Sequence, residues 1–134
     1  GIEKGLIEIS QDQKTIRYIH LDYERELKPE EFVRASTFVE LVLDYGYKKD
    51  LIKFEVPSQQ GSSGETRADI VLYYPNKKDA FLVIELKEPE TKDKPDKIRR
   101  QARGYAYSEE IKAKYFAYRI GDDPIEAWLI KDGR

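Results

Sequence analysis

Two short segments of the sequence carry charged residues where strands are expected. In Ala80-Phe81-Leu82-Val83-Ile84-Glu85-Leu86-Lys87, an apolar run ends in a Glu and a Lys two positions apart. Successive strand side chains point to opposite faces, so Phe81, Val83, Glu85 and Lys87 share one face and Leu82, Ile84 and Leu86 the other. In the preceding run, Arg67 to Tyr74, the residues Asp69, Val71 and Tyr73 share a face. The connection Pro75-Asn76-Lys77-Lys78-Asp79 is turn chemistry, and an antiparallel pairing through it brings Asp69 and Glu85 to the same edge of the sheet. Taken singly, each acid is an ordinary charged strand end reaching water. Taken together they are like charges that need a compensating cation. A divalent ion between Asp69 and Glu85, beside Lys87, would compensate them, and Mg²⁺ suits the place because it takes few carboxylates and keeps several waters; Mn²⁺ is the alternative ion.

A third acid comes from the first helix. At 3.6 residues per turn, Glu30, Arg34, Thr37, Glu40 and Asp44 fall on its polar side, whereas Glu31 falls with Ala35, Phe38 and Val42 on the apolar side. Glu31 is therefore the inward carboxylate, with Glu40 as runner-up. A role beside the metal and plain compensation of the helix dipole are both open for it. In the second helix Gln101 and Tyr105 are four apart and share a face. The segment Lys97 to Arg103 holds Lys97, Arg99, Arg100 and Arg103 and no acid. Residues 87–119 contain ten basic and six acidic groups, a net of +4, which leaves 14 basic and 20 acidic, or −6, elsewhere. Basic groups to hold phosphates beside acids that hold a water-activating ion are what phosphodiester hydrolysis needs. The competing explanation is a solvated helix face laced with ion pairs.

The totals bound these readings. A chain of 134 residues suits one globular domain, and a net charge of −2 fits neither a polyanion-coating tail nor a disordered acidic segment. No apolar run approaches the ~20 residues needed to span a bilayer, and no signal-like start is present, so a soluble, cytoplasmic protein is expected. With no Cys and only His20, disulfides, thiolate metal sites, cysteine nucleophiles and multi-histidine sites are excluded, and any ion must be held by oxygen. The absence of Met and the start at Gly1 suggest a domain excised from a longer chain.

The pattern along the chain predicts an N-terminal hairpin from Leu6–Ile9 and Thr15–His20, then a helix from about Pro29 to Tyr45 closed by Gly46. A strand over Leu51–Val56 should end at Pro57 and give way to a mobile loop, Ser58 to Glu65. Strands follow at Arg67–Tyr74 and Ala80–Lys87, the latter apolar on both faces and so central. A second helix is expected from Asp96 to about Ala113, then closing strands at Tyr115–Ile120 and Ile125–Ile130. The fold class is α/β: a mixed central sheet flanked by helices, in a single domain over 1–134 with its core at about 29–130.

Arg67-Ala68-Asp69-Ile70-Val71, Val83-Ile84-Glu85-Leu86-Lys87 and Gln101-Ala102-Arg103-Gly104-Tyr105, in that order and after Pro29-Glu30-Glu31-Phe32-Val33-Arg34, resemble the PD-(D/E)xK nucleases. The match is to the N-terminal nuclease domain of type I restriction enzyme R subunits. Asp69 stands at the motif's Asp, Glu85-Leu86-Lys87 reads as ExK, and Gln101 with Tyr105 as the accompanying QxxxY. Ala68 replaces the Pro of the motif's name, and Ala117-Tyr118-Arg119 stands where many relatives have a Thr-Asn-Gly-like strand end.

The resemblance implies a restriction-endonuclease-like αβββαβ core and a Mg²⁺-dependent DNA endonuclease. In it Asp69 and Glu85 hold the ion, Lys87 acts on the attacking water, and Glu31 completes the site. Gln101, Tyr105, Arg99, Arg100, Arg103 and the loop from Ser58 to Glu65 contact DNA. It further implies a helicase-like motor in the same parent chain and methylation and specificity subunits as partners. No GxxxxGK[ST] occurs, so no ATP site of that type is expected within the chain. Two rival readings are a non-catalytic DNA-binding or assembly domain with the same fold, and a protein-interaction module in which the ion pairs are structural.

Overall fold

The computed structural model describes residues 5–21, 23–59 and 65–130, and the chain divides into two compact units, Gly1–Asp50 and Leu51–Arg134. No helix of the described residues is long and apolar enough to cross a membrane.

In the first unit β1 (Ile7–Ile9), β2 (Thr15–Tyr18) and β3 (Tyr23–Glu26) form an antiparallel sheet in that order. The predicted hairpin is β1–β2; β3 is an addition. Its Tyr-Glu-Arg-Glu sequence is mostly exposed and lacks the alternation that marks a half-buried strand. Helix α1 (Pro29–Leu43) starts where expected, with Pro29 at a position that needs no N–H donor and Glu30 and Glu31 in the first turn. Two of its faces differ from expectation. Arg34 and Thr37, assigned to the polar side, are buried, while the apolar Phe32 is 61% exposed. Arg34 tolerates burial because its Nη1 lies 3.2 Å from Glu31 Oε1 on the adjacent turn, and Tyr18 Oη donates to Glu31 Oε2 at 2.6 Å. Tyr18, fully buried, has its hydroxyl pKa pushed far up, first by burial and then by the Glu31 carboxylate.

His20 stacks on Phe38 with centroids 4.9 Å apart and rings within 4° of parallel. Neither ring nitrogen has a hydrogen-bond partner among the described residues. Burial, and then the Lys49 charge, lower its pKa below the ordinary value, with Asp50 opposing. The unfolded chain therefore takes up the proton first as pH falls. The contribution is neutral above about pH 6.5, and stability is lost as pH drops below that value toward the folded-state pKa. Melting temperatures of the wild type and His20→Gln between pH 7.5 and 5.5 test this, the wild type being expected to lose more; parallel slopes would remove His20 as the cause.

The second unit is a five-stranded sheet in the order β4 (Ile52–Gln59), β5 (Glu65–Tyr73), β6 (Ala80–Lys87), β7 (Tyr115–Ile120) and β8 (Glu126–Leu129). All pairs are antiparallel except β6–β7, which are parallel and joined through α2 (Pro95–Tyr107), as a parallel pair requires a crossover. The chain order of α1, β4, β5, β6, α2 and β7 is the expected αβββαβ core in an α/β fold with a mixed sheet. Strand β6 occupies its centre, and Val83, Ile84 and Leu86 are at most 1% exposed. Helix α2 lies on β5, β6 and β7 through Ile98, Ala102 and Ala106, all fully buried. The two alanines permit close approach to the sheet.

Two boundaries are corrected. Pro57 does not end β4: it pairs with Arg67, and Ser58 and Gln59 continue the strand opposite Thr66 and Glu65. Proline is tolerated because β4 is an edge strand, where a missing N–H need not break a ladder bond. Of the expected loop, Ser58, Gln59 and Glu65 are thus strand, and residues 60–64 lie outside the described ones. Helix α2 stops at Tyr107 rather than near Ala113. Ser108 turns extended with its hydroxyl donating to the Tyr105 carbonyl at 2.8 Å, and the chain folds back to bury Ile111 and Ala113 in the core under the helix.

Candidate active site

The β5–β6 ladder runs from Leu72 opposite Leu82 to Ile70 opposite Ile84, and one step further Asp69 falls across from Glu85. There the side chain takes over from the backbone. Asp69 Oδ2 accepts the Leu86 N–H at 2.8 Å, which pins the carboxylate between Glu85 and Lys87. Glu85 is only 5% exposed, although it is a carboxylate at a strand end. The Lys87 ammonium is partly buried and lies 3.4 Å from Asp93 Oδ2 in the β6–α2 connection. Asp93 also accepts from Lys97 Nζ at 3.1 Å, and the Lys97 hydrogen bond, ahead of the Lys87 contacts, holds the Asp93 carboxyl below its usual range.

Tyr105 joins the group from α2. Burial raises its hydroxyl pKa, a hydrogen bond with Thr66 opposes this, and the charges of Glu85 and Asp69 raise it and that of Lys87 lowers it. One hydroxyl thus senses all three charged residues of the proposed set. Gln101 lies one turn earlier on α2, half-buried, with its Oε1 atom enclosed and lacking a donor among the described residues. Arg99 and Arg100 are exposed on the same helix and Arg103 is partly so, with Arg103 over the Tyr107 ring at 5.5 Å. Glu31 belongs to the other unit, where Tyr18 and Arg34 engage both of its oxygens. Glu40 borders an apolar groove there with Phe32 and Val39.

Three residues near the site escaped the sequence. Glu55 on β4 is the first. The ladder pairs Phe54 with Ile70 and Val56 with Ala68 but skips Glu55 and Asp69, and Glu55 has φ +52°. Register is kept, yet the alternation changes phase: Val56 and Ala68 pack in the same cluster as Val71. A left-handed Glu is costly and uncommon, and such irregularities gather at functional sites. Burial raises the Glu55 pKa, with Arg67 opposing and Asp69 adding to the rise, so its carboxylate is electrostatically within reach of Asp69. Asp93 and Thr66 are the others. No sequence signal marks a positive φ at Glu, and Asp93 sits in a polar loop whose return to Lys87 depends on the fold.

Backbone contacts fix the end of β6. Gly121 N–H donates to the Lys87 carbonyl at 2.8 Å, with φ +58°, and a Cβ there would stand 2.9 Å from Pro89 Cγ. Only glycine fits both demands. Arg119, in the segment that departs from the Thr-Asn-Gly-like pattern, is buried and donates to the Asp123 carbonyl at 2.8 Å.

The donor set is two carboxylates, an amine and a phenol, and no group of three or more His, Cys, Asp or Glu placed to hold a metal occurs among the described residues. Hard oxygen donors in that small number would suit a hard divalent ion such as Mg²⁺. A comparison with curated proteins finds no match. A family model of the type I restriction enzyme R protein N terminus matches residues 29–123, from the start of α1 to just past β7. With the αβββαβ core, and with Asp69, Glu85 and Lys87 gathered at one end of β6, this chain belongs to the family of type I restriction enzyme R protein N termini.

Proposed function

We propose that the chain is the Mg²⁺-dependent DNA-cleaving module of a type I restriction enzyme R protein, hydrolysing phosphodiester bonds at the Asp69–Glu85–Lys87 site. The observation that carries this reading is the Asp69 carboxylate docked on the Leu86 amide, within the Glu85-Leu86-Lys87 motif itself. Asp69 and Glu85 would hold Mg²⁺, or Mn²⁺ in its place, which when bound acts as a Lewis acid and lowers the pKa of water. Lys87 would orient the attacking water and, as the ammonium, offset phosphate charge; to take the proton of that water it must first be in its neutral amine form. Tyr105 and Gln101 position the strand, and Arg99, Arg100 and Arg103 hold phosphates, giving affinity without sequence choice. The partners under this reading are DNA, a motor region of the same parent chain, and methylation and specificity subunits. Glu31, with both oxygens engaged by Tyr18 and Arg34, braces α1.

Thermal shift with Mg²⁺ and Mn²⁺ tests the metal claim. Saturating ion at about 100 times Kd adds roughly 2.7 kcal/mol. The wild type should gain stability with concentration and Asp69→Ala should not. Equal responses of the two proteins would remove Asp69 as a ligand, and no response in either would favour a module whose ion pairs are structural.

A further inference from the structure

Beyond the phosphate-holding groups, the α2-covered face of the sheet carries an aromatic array next to the site. In the parallel β6–β7 register Val83 pairs with Phe116 and Glu85 with Tyr118. Val83 and Phe116 pack in one core cluster with Ala102 and Ala106 of α2, so Glu85 and Tyr118, two residues further on, emerge on that same face. On β8, Trp128 pairs with Phe116. Its ring lies 5.5 Å from Phe116 at 20° and 5.6 Å from Tyr118 at 8°, a nearly parallel three-ring stack. The guanidinium of Arg99, exposed on α2, sits 5.7 Å from the Trp128 centroid. Tyr118 and Trp128 are partly exposed, and Tyr118 Oη donates to Glu126 Oε2 at 3.3 Å, which fixes the tyrosine ring. From Glu85 on β6 to Trp128 on β8 is two strand spacings across and two residues along, about 12 Å.

We propose that Tyr118, Trp128 and Arg99 form a stacking platform for an unpaired base of single-stranded DNA, continuous with the phosphate-hydrolysing site at Glu85; the substrate assignment rests on the nuclease reading, the platform on its own geometry. Every base has a π-face, so parallel aromatic rings bind single strands without sequence choice. An arginine over a ring supplies both cation–π attraction and a phosphate contact. The +4 charge of residues 87–119 complements a polyanion. The substrate is then a strand with at least a locally unpaired nucleotide beside the scissile phosphate. A cross-strand ladder that only holds edge strand β8 in place would show the same ring distances, and the two differ in what the rings do when a single strand is added.

Trp128 is the sole tryptophan, so its fluorescence reports on this site alone. Titrating the 134-residue chain with oligothymidylate in EDTA should quench it saturably, and a duplex of the same length should quench it far more weakly. Tyr118→Leu, which keeps apolar bulk but loses the ring, should weaken oligothymidylate binding about tenfold. Arg99→Gln should weaken binding and reduce its salt dependence by about one counterion. Unchanged Trp128 fluorescence, a Tyr118→Leu variant that is correctly folded by circular dichroism and binds like wild type, or duplex binding as tight as single strand would each overturn the platform. EDTA separates the two readings. Quenching in this chain with no Mg²⁺-dependent cleavage by the assembled parent R protein sinks the nuclease reading alone, and cleavage by that assembly without quenching here sinks the platform alone.

Discussion

Lys87→Ala is expected to lower Mg²⁺-dependent DNA cleavage about 10²- to 10⁴-fold, the range spanned by a positioned proton-transfer group. The residue ends the central strand, its carbonyl tied to Gly121 and its ammonium poised at Asp93, 3.4 Å away. Its side chain is 21% exposed, so truncation removes packing of the buried stem as well as the Asp93 ion pair. Loss of rate should persist at temperatures where the variant is fully folded, beyond what a modest fall in melting temperature explains, and Mg²⁺ binding should persist because Asp69 and Glu85 remain. Lys87→Arg should not restore the rate, since a guanidinium cannot give up its proton. Cleavage rates and melting curves of the three proteins check this. A Lys87→Ala variant that cuts like wild type would remove the ammonium from the chemistry.

The second large effect is on stability. Glu31→Ala removes the carboxylate that compensates Arg34, whose side chain is 8% exposed, and also the acceptor of the buried Tyr18 hydroxyl. Breaking a buried pair from one side costs about 3–5 kcal/mol, more than the pair itself contributes, because the remaining charge stays desolvated. A fall in melting temperature on the order of 10 °C is expected. Glu31→Gln keeps an acceptor for Tyr18 and should lose less. If Glu31 braces α1 and does not ligate the ion, the folded Glu31→Gln protein responds to Mg²⁺ like wild type. A Glu31→Ala melting curve that overlays the wild type would show the pair to be unimportant.

Much of the site was legible because alternation and turn chemistry suffice to place Asp69 against Glu85. The chain Pro75 to Asp79 closes a tight antiparallel connection, and a segment such as Ala80–Lys87, apolar on both faces through Ile84, has few alternatives to a central strand. Helix α1 announced its start through Pro29, Glu30 and Glu31. What escaped depends on tertiary compensation. Arg34 reads as solvent-facing until Glu31 and Tyr18 are seen beside the buried helix face. Pro57 reads as a terminator unless the strand is known to be an edge. The end of α2 was missed because Ile111 and Ala113 keep helical spacing while packing through a turn. Glu55 stands on a left-handed backbone that side-chain type does not predict, and Asp93 meets Lys87 across a loop.

The central claim, that Asp69, Glu85 and Lys87 form a metal-dependent phosphodiesterase site, is tested most directly by DNA cleavage in the parent R protein assembled with its partner subunits. Wild type and Glu85→Gln should be compared on supercoiled plasmid, with Mg²⁺ and with EDTA. The expected result is conversion to nicked and linear forms by the wild type in Mg²⁺ only, with Glu85→Gln inactive yet equally folded and still binding DNA. Equal cleavage by the two proteins, or cleavage by the wild type that persists in EDTA, would contradict the account.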